Sequence, residues 1–218
     1  MKDKLSFFFS SGRRLLAGCY AAFLAVSLVW AAFNLCQDRY LRATGQLTEQ
    51  QLSASAFELV NLQLEEDGVY TSTTDDPRMV LTDCPERVSR VDMEVTFLNM
   101  DPGEFTLFYK PRDGMEDFDA NFRVWGNEQS KSHYSFSVSC ARCYGLRIDP
   151  GMYAGMQFTI QSITLNAKQP ALSFFVPSNF WLVSFIVAPA LIASVIQYII
   201  ACRRFVISRR SASFKEGT

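Results

Sequence analysis

Histidine is almost absent from this chain: His133 stands alone among 218 residues. One imidazole leaves general-base chemistry largely to carboxylates. It also excludes a zinc motif of the H-E-x-x-H kind, and neither G-x-S-x-G nor a P-loop occurs. No asparagine sits in N-x-S/T, which favours a bacterial envelope protein over a glycosylated eukaryotic ectodomain. A concentrated basic stripe is missing too, and with it the electrostatic footprint of a nucleic-acid partner.

The most informative absence is local. Two long runs carry no charged residue: Leu15–Cys36, 22 residues, and Phe180–Cys202, 23 residues. About 20 apolar residues in a helix cross a hydrocarbon core roughly 30 Å thick, so both runs are expected to be transmembrane helices. The formal charge of −1 hides a strong segregation. Nine basic residues (Lys2, Lys4, Arg13, Arg14, Arg203, Arg204, Arg209, Arg210 and Lys215) flank the runs on their outer sides, against Asp3 and Glu216. The segment between the runs keeps the other twelve basic and twenty acidic residues. The positive-inside rule then puts both termini in the cytoplasm and the middle of the chain outside the inner (cytoplasmic) membrane. Trp30 and Trp181 fall near the outer interface, where indoles prefer to sit. The resulting plan has a cytoplasmic tail at 1–14, a first span at 15–36, a helical extension or stalk at 37–56 and an extracytoplasmic domain at 57–168. A return linker at 169–179, a second span at 180–202 and a basic tail at 203–218 complete it. Phe7–Phe9 is expected to dip into the interface. Inside the second span, Pro189 predicts a kink, and Gln197 is a candidate for an interhelical hydrogen bond.

Between the spans the hydrophobic period is two. Alternation is clear at Leu62/Leu64, Val91/Met93/Val95/Phe97, Phe105/Leu107/Tyr109 and Phe118/Ala120/Phe122/Val124. It continues at Tyr134/Phe136/Val138/Cys140, Leu146/Ile148 and Met156/Phe158/Ile160, then Ile163/Leu165. Turn signals separate these runs at Asp67-Gly68, Asp101-Pro102-Gly103, Asp113-Gly114, Gly126-Asn127 and Asp149-Pro150-Gly151. Such a rhythm predicts a membrane-anchored all-β protein, with a jelly-roll-like antiparallel β-sandwich between two transmembrane helices.

Chemistry-bearing residues are few. Cys36, Cys84, Cys140 and Cys143 lie at or beyond the outer interface, where disulfides are the default for close pairs. Cys84 with Cys140 or Cys143, or Cys140 with Cys143, are the open alternatives. A zinc site would have to combine these three with His133; with one C-x-x-C and an oxidising compartment, no metal or other cofactor is expected. The acidic run Asp113, Glu116, Asp117 and Asp119 reads as a solvated loop and fits no EF-hand spacing. Flat aromatic rings beside carboxylates and amides are what a saccharide needs. Trp125 with Asn127 and Glu128, and Tyr109, are the candidates for that role.

The stretch Leu146–Leu165, LRIDPGMYAGMQFTIQSITL, carries Arg147, Asp149 and Pro150 ahead of Phe158, Ile160, Ile163 and Leu165. Together with Glu104–Lys110, EFTLFYK, it resembles carbohydrate-binding-like β-sandwich domains. Those domains are attached to bacterial membrane glycosyltransferases of polysaccharide and glycoconjugate assembly. The resemblance covers residues 88–168. It implies a non-catalytic accessory or glycan-binding subunit whose membrane partner is a multi-span glycosyltransferase or similar enzyme. It supplies no catalytic residue, and Arg147 and Asp149 are expected to form a structural pair at the turn. The alternative is a structural or regulatory subunit of a channel, transporter or secretion complex.

Overall fold

The computed structural model describes residues 12–177 and 179–215. Lys2, Lys4, Phe7–Phe9 and Glu216 lie outside the described residues. The chain divides into two compact units, with boundaries at Gln37/Asp38 and Gln169/Pro170.

The helical unit is built from α1 (Gly12–Ala43) and α2 (Asn179–Lys215), the first running on into the other unit. Both contain stretches long and apolar enough to cross a membrane, with mean hydropathies of 2.0 and 2.2. The two run antiparallel. Tyr20 donates its hydroxyl to the Ile186 carbonyl at 2.7 Å, and the Phe23 and Phe185 rings meet edge to face with centroids 5.0 Å apart. Pro189 lies inside α2. Having no N–H, it leaves the Phe185 carbonyl without its helical donor.

The second unit, Asp38–Gln169, is two antiparallel sheets around one core. Its strands are β1 (Gln50–Leu52), β2 (Glu58–Val60), β3 (Leu62–Leu64), β4 (Tyr70–Ser72), β5 (Arg78–Leu81) and β6 (Val88–Phe97). They continue as β7 (Thr106–Tyr109), β8 (Arg123–Trp125), β9 (Asn127–Ser130), β10 (His133–Cys140), β11 (Leu146–Asp149) and β12 (Gln157–Leu165). The larger sheet has the order β3-β4-β12-β6-β10-β9, with β1 also pairing with β12; the smaller has the order β2-β5-β11-β7-β8. From β5 to β7 and from β10 to β12, successive strands alternate between the sheets, as strands of a jelly roll do. Met79, Leu107, Leu146 and Ile148 of the smaller sheet join Val91, Met93, Phe136, Phe158, Ile163 and Leu165 of the larger in a single apolar layer. All ten are essentially inaccessible to solvent. At about 25 cal/mol per Å² of apolar surface buried, this layer is the main stabilising feature of the unit.

Three local departures from the sequence pattern have physical causes. Phe118–Phe122 does not form a strand, because Asp119 caps a 3-10 turn over Ala120–Phe122 by accepting the Asn121 N–H at 2.8 Å. The parity change between Ile160 and Ile163 is a bulge, where the register of β12 against β6 slips between Ile160 and Ser162. Residues 37–56 first extend the helix and then join the sheet. Helix α1 runs to Ala43, and Gln50–Leu52 pairs with Ile163–Leu165 as part of the larger sheet.

Candidate functional site

Because strand residues alternate between faces, the smaller sheet turns one set of side chains into the core and the other outward. Its registers align the outward set in two rows. One row runs Glu58, Val80, Arg147, Phe108 and Arg123 across β2, β5, β11, β7 and β8. The row beside it holds the pair Val60 and Arg78, then Asp149, Thr106 and Trp125. Five separate stretches of chain thus meet on one surface.

The aromatic part of this face is Trp125 beside Phe108. Trp125 is 52% exposed, whereas Phe108 is 8% exposed although it points away from the core. Phe108 is covered by guanidinium groups. That of Arg147 lies 4.6 Å from its ring centroid and that of Arg123 lies 6.0 Å away. Arg123 also stacks on Trp125 at 4.7 Å. Planar cations over aromatic rings are attracted by the ring quadrupole while keeping their in-plane N–H groups directed outward. The carboxylate paired with Arg123 is Glu104, at 3.8 Å.

The polar part is a ladder of arginines and aspartates. Arg147 grips Asp149 with two bonds, Nε to Oδ1 at 2.7 Å and Nη2 to Oδ2 at 2.5 Å. It also lies 3.8 Å from Asp76. Arg78 holds Asp76 in a second fork, with Nε to Oδ1 at 2.9 Å. The Arg78 hydrogen bond keeps the Asp76 carboxyl below its ordinary value. Burial pushes the Asp149 carboxyl up, against the pull of Arg147. Such a surface offers flat apolar area next to fixed donors and acceptors.

The sequence-predicted residues are distributed differently from expectation. Trp125 is on this face. Arg147 and Asp149 do pair, but from strand β11 and as part of the same face rather than from the turn that follows. Tyr109 is corrected: it shares the inward parity of Leu107, is buried in the core and packs against Phe122 at 5.7 Å. Asn127 and Glu128 do not join Trp125, because they form the exposed edge strand β9 of the other sheet. Gly126 is the crossing point. A Cβ there would sit 3.1 Å from the Phe136 ring and 3.2 Å from the Phe105 carbonyl oxygen, so the chain passes between the sheets only as glycine without displacing them. Phe108, Arg123, Arg78 and Asp76 carry no motif. Phe108 was the detectable one, an apolar residue out of phase with Leu107 and Tyr109.

Cys84, Cys140 and Cys143 gather at one end of the sandwich, and all six cysteines are thiols in this structure. His133 is not with them; it faces Asp92 at 3.6 Å from the opposite end of β10. Among the described residues no group of three histidine, cysteine or acidic side chains is arranged to hold a metal ion. Gln197 reaches the Gly12 carbonyl of α1 at 3.4 Å, so its interhelical partner is the chain's own first helix.

No protein-family model matches the sequence, and no curated protein matches it. Solved structures do resemble it. The low-affinity xylan-binding module CBM86 from Roseburia intestinalis is 15% identical, covers 57% of this chain and 98% of its own length, and has a TM-score of 0.40. A family 29 carbohydrate-binding module from Piromyces equi is 13% identical over 55% of this chain and 85% of that one, with a TM-score of 0.39. The β-1,3-glucan-binding module CBM6 from Bacillus halodurans is 15% identical over 55% and 96%, with a TM-score of 0.35. At such identities no residue role passes from them to this chain.

Proposed function

We propose that this chain is a non-catalytic glycan-binding subunit, held at the inner (cytoplasmic) membrane by α1 and α2. Its β domain is extracytoplasmic and its two termini are cytoplasmic. The observation that carries the reading is the outer face of the smaller sheet, where an exposed indole adjoins ordered arginine–aspartate forks. A pyranose ring stacks its C–H face on an indole, and its hydroxyls exchange hydrogen bonds with guanidinium and carboxylate groups. Asp76 and Asp149 are each engaged by an arginine, which suits a fixed recognition surface better than a proton-transfer pair. The two apolar helices and the flanking basic residues support the anchoring. The sequence resemblance to domains of polysaccharide-assembling membrane enzymes supports a multi-span glycosyltransferase as the companion.

The test is affinity electrophoresis and calorimetry of the full chain, in detergent, against a panel of cell-envelope polysaccharides. Binding to at least one, weakened tenfold or more by Trp125→Ala, is expected. Failure of the whole panel, or an unchanged affinity in the variant, sinks the reading and leaves the channel or transporter subunit in its place. Topology is tested separately. A cysteine at Glu128 should react with impermeant maleimide in intact cells, and green fluorescent protein fused to the C-terminus should fluoresce. Capture of a multi-span glycosyltransferase in mild detergent tests the companion.

A further inference from the structure

The three cysteines of the β domain come from distant stretches, and strand pairing explains their meeting. Strands β5 and β11 are antiparallel, with Leu81 opposite Leu146 as the outermost pair. Carried three places past both strand ends, that register sets Cys84 opposite Cys143. The Cys84 and Cys143 thiols lie within hydrogen-bonding reach of each other. Cys84 Sγ donates to the Leu81 carbonyl at 3.4 Å, and Cys143 Sγ to the Gly145 carbonyl at 3.5 Å. The Cys143 N–H bonds the Glu86 carbonyl at 2.8 Å, which fixes the 140–143 turn against the segment that follows Cys84. Cys140 ends β10 opposite Val88 of β6, and its Sγ donates to the Arg142 carbonyl at 2.5 Å. Cys140 and Cys143 are each 6% exposed, and Cys84 packs against the same cluster. A cleft of about 660 Å³ borders the turn, lined by Gln46, Glu86, Arg87, Pro111, Ala141 and Arg142.

We propose that this cluster is a redox site in which Cys84 and Cys143 close a disulfide while Cys140 remains a thiol beside it. The neighbouring Cys84 and Cys140 thiols, each able to turn its single S–H onto a Cys143 thiolate, hold the Cys143 thiol below its ordinary value against its burial, making it the first to ionise. Burial raises Cys140 to about 11, and the interaction with Cys143, followed by burial, raises Cys84. The oxidant is a small-molecule or protein disulfide, R–S–S–R. The Cys143 thiolate attacks one of its sulfurs, forming a mixed disulfide and expelling RS⁻. Cys84 then gives up its proton and attacks Cys143 Sγ, expelling the second RS⁻. Two cysteine thiols lose two electrons and two protons, and R–S–S–R becomes two RSH. The bond ties the segment after β5 to the turn before β11, beside the cleft. Cys140 is a positioning residue in this scheme, and it can take over as partner of Cys143 when Cys84 is removed. The proposal is independent of glycan binding.

The experiment equilibrates the purified full chain in detergent with oxidised and reduced glutathione over a range of ratios. Free thiols are quenched with N-ethylmaleimide in acid, and the digest is mapped by mass spectrometry. A Cys84–Cys143 linked peptide with Cys140 alkylated is expected in the oxidised samples, converting fully to alkylated thiols under dithiothreitol. In Cys84→Ser the link should move to Cys140–Cys143, and in Cys143→Ser internal linkage should fall at least tenfold. Alkylation of all three cysteines at every ratio, or a wild-type link that joins Cys140 to either neighbour, overturns the assignment. The wild-type map alone decides, so an unfolded variant leaves the test intact.

Discussion

Asn166 offers the sharpest test of how the β domain is held together. It follows β12 directly, is fully buried, and adopts φ of 54°. Its side-chain oxygen accepts the Ser89 N–H at 2.8 Å and the Ser89 hydroxyl at 3.2 Å. Its amide donates to the Thr48 carbonyl at 3.1 Å and the Arg87 carbonyl at 2.9 Å. One amide thus closes the chain leading into β1, the start of β6 and the end of β12. Asn166→Ala strips the partner from three backbone groups, and each buried group left unpaired costs about 1–3 kcal/mol. Holding alanine in the left-handed region adds about 1 kcal/mol, which asparagine largely avoids. With water entering to recover part of the loss, the sum is about 4–6 kcal/mol, comparable to the whole stability of a small domain at roughly 5–15 kcal/mol. Urea titration of the full chain in non-ionic detergent, followed by tryptophan fluorescence, reads it. Asn166→Gly should recover only about 1 kcal/mol, because it relieves the backbone but not the orphaned groups. Asn166→Asp should be at least as damaging as alanine, since it sets a carboxylate against two carbonyls. A loss below about 1 kcal/mol for alanine, or a glycine variant as stable as the wild type, refutes the hydrogen-bond account.

Other outcomes follow from the same structure. Arg123→Ala should weaken glycan binding by about tenfold through loss of the cation over Trp125, read by the same calorimetry as the Trp125 variant. Asp76 is held below its ordinary 3.8 by Arg78. Its contribution to stability is therefore present above that value and lost as pH falls through its lowered value. Asp149 has the opposite sign: its ionised form costs stability above its raised value, and that cost is relieved on acidification. Thermal melts in acid should accordingly show a smaller fall for Asp76→Asn than for wild type, and an identical fall would contradict the pairing. In Gly151→Ala the new Cβ would lie 2.4 Å from Met156 Sδ and 3.1 Å from the Pro102 carbonyl oxygen. Met156 is buried, so overpacking should lower stability by about 1–3 kcal/mol in the urea titration.

The long strands were legible in the sequence because one face of each is buried. Val91, Met93 and Val95 on β6, and Phe136 and Val138 on β10, write their burial into the alternation. Strands held mainly by backbone bonds left no such trace. Gln50–Leu52 and Asn127–Ser130 are largely polar and exposed, and they pair at an edge. The candidate face was half legible. Trp125 announced itself as an aromatic among polar neighbours, but its companions are set by the strand order β5-β11-β7-β8, which no local pattern encodes. Asn127 and Glu128, adjacent in sequence, are carried to the other sheet by the crossing at Gly126.

The pairing of β1 with the end of β12 has a mechanical consequence. Gln50 lies opposite Leu165, so the chain enters and leaves the β domain side by side. Tension drawn through both ends would part these strands one rung at a time, like a zip, rather than shear many rungs together. Ahead of the first rung stands Arg42, which is braced on Asp38 and donates to the Asn166 and Ala167 carbonyls at 3.0 and 3.2 Å. Any pull arriving at the domain meets this guanidinium clasp before it reaches the sheet.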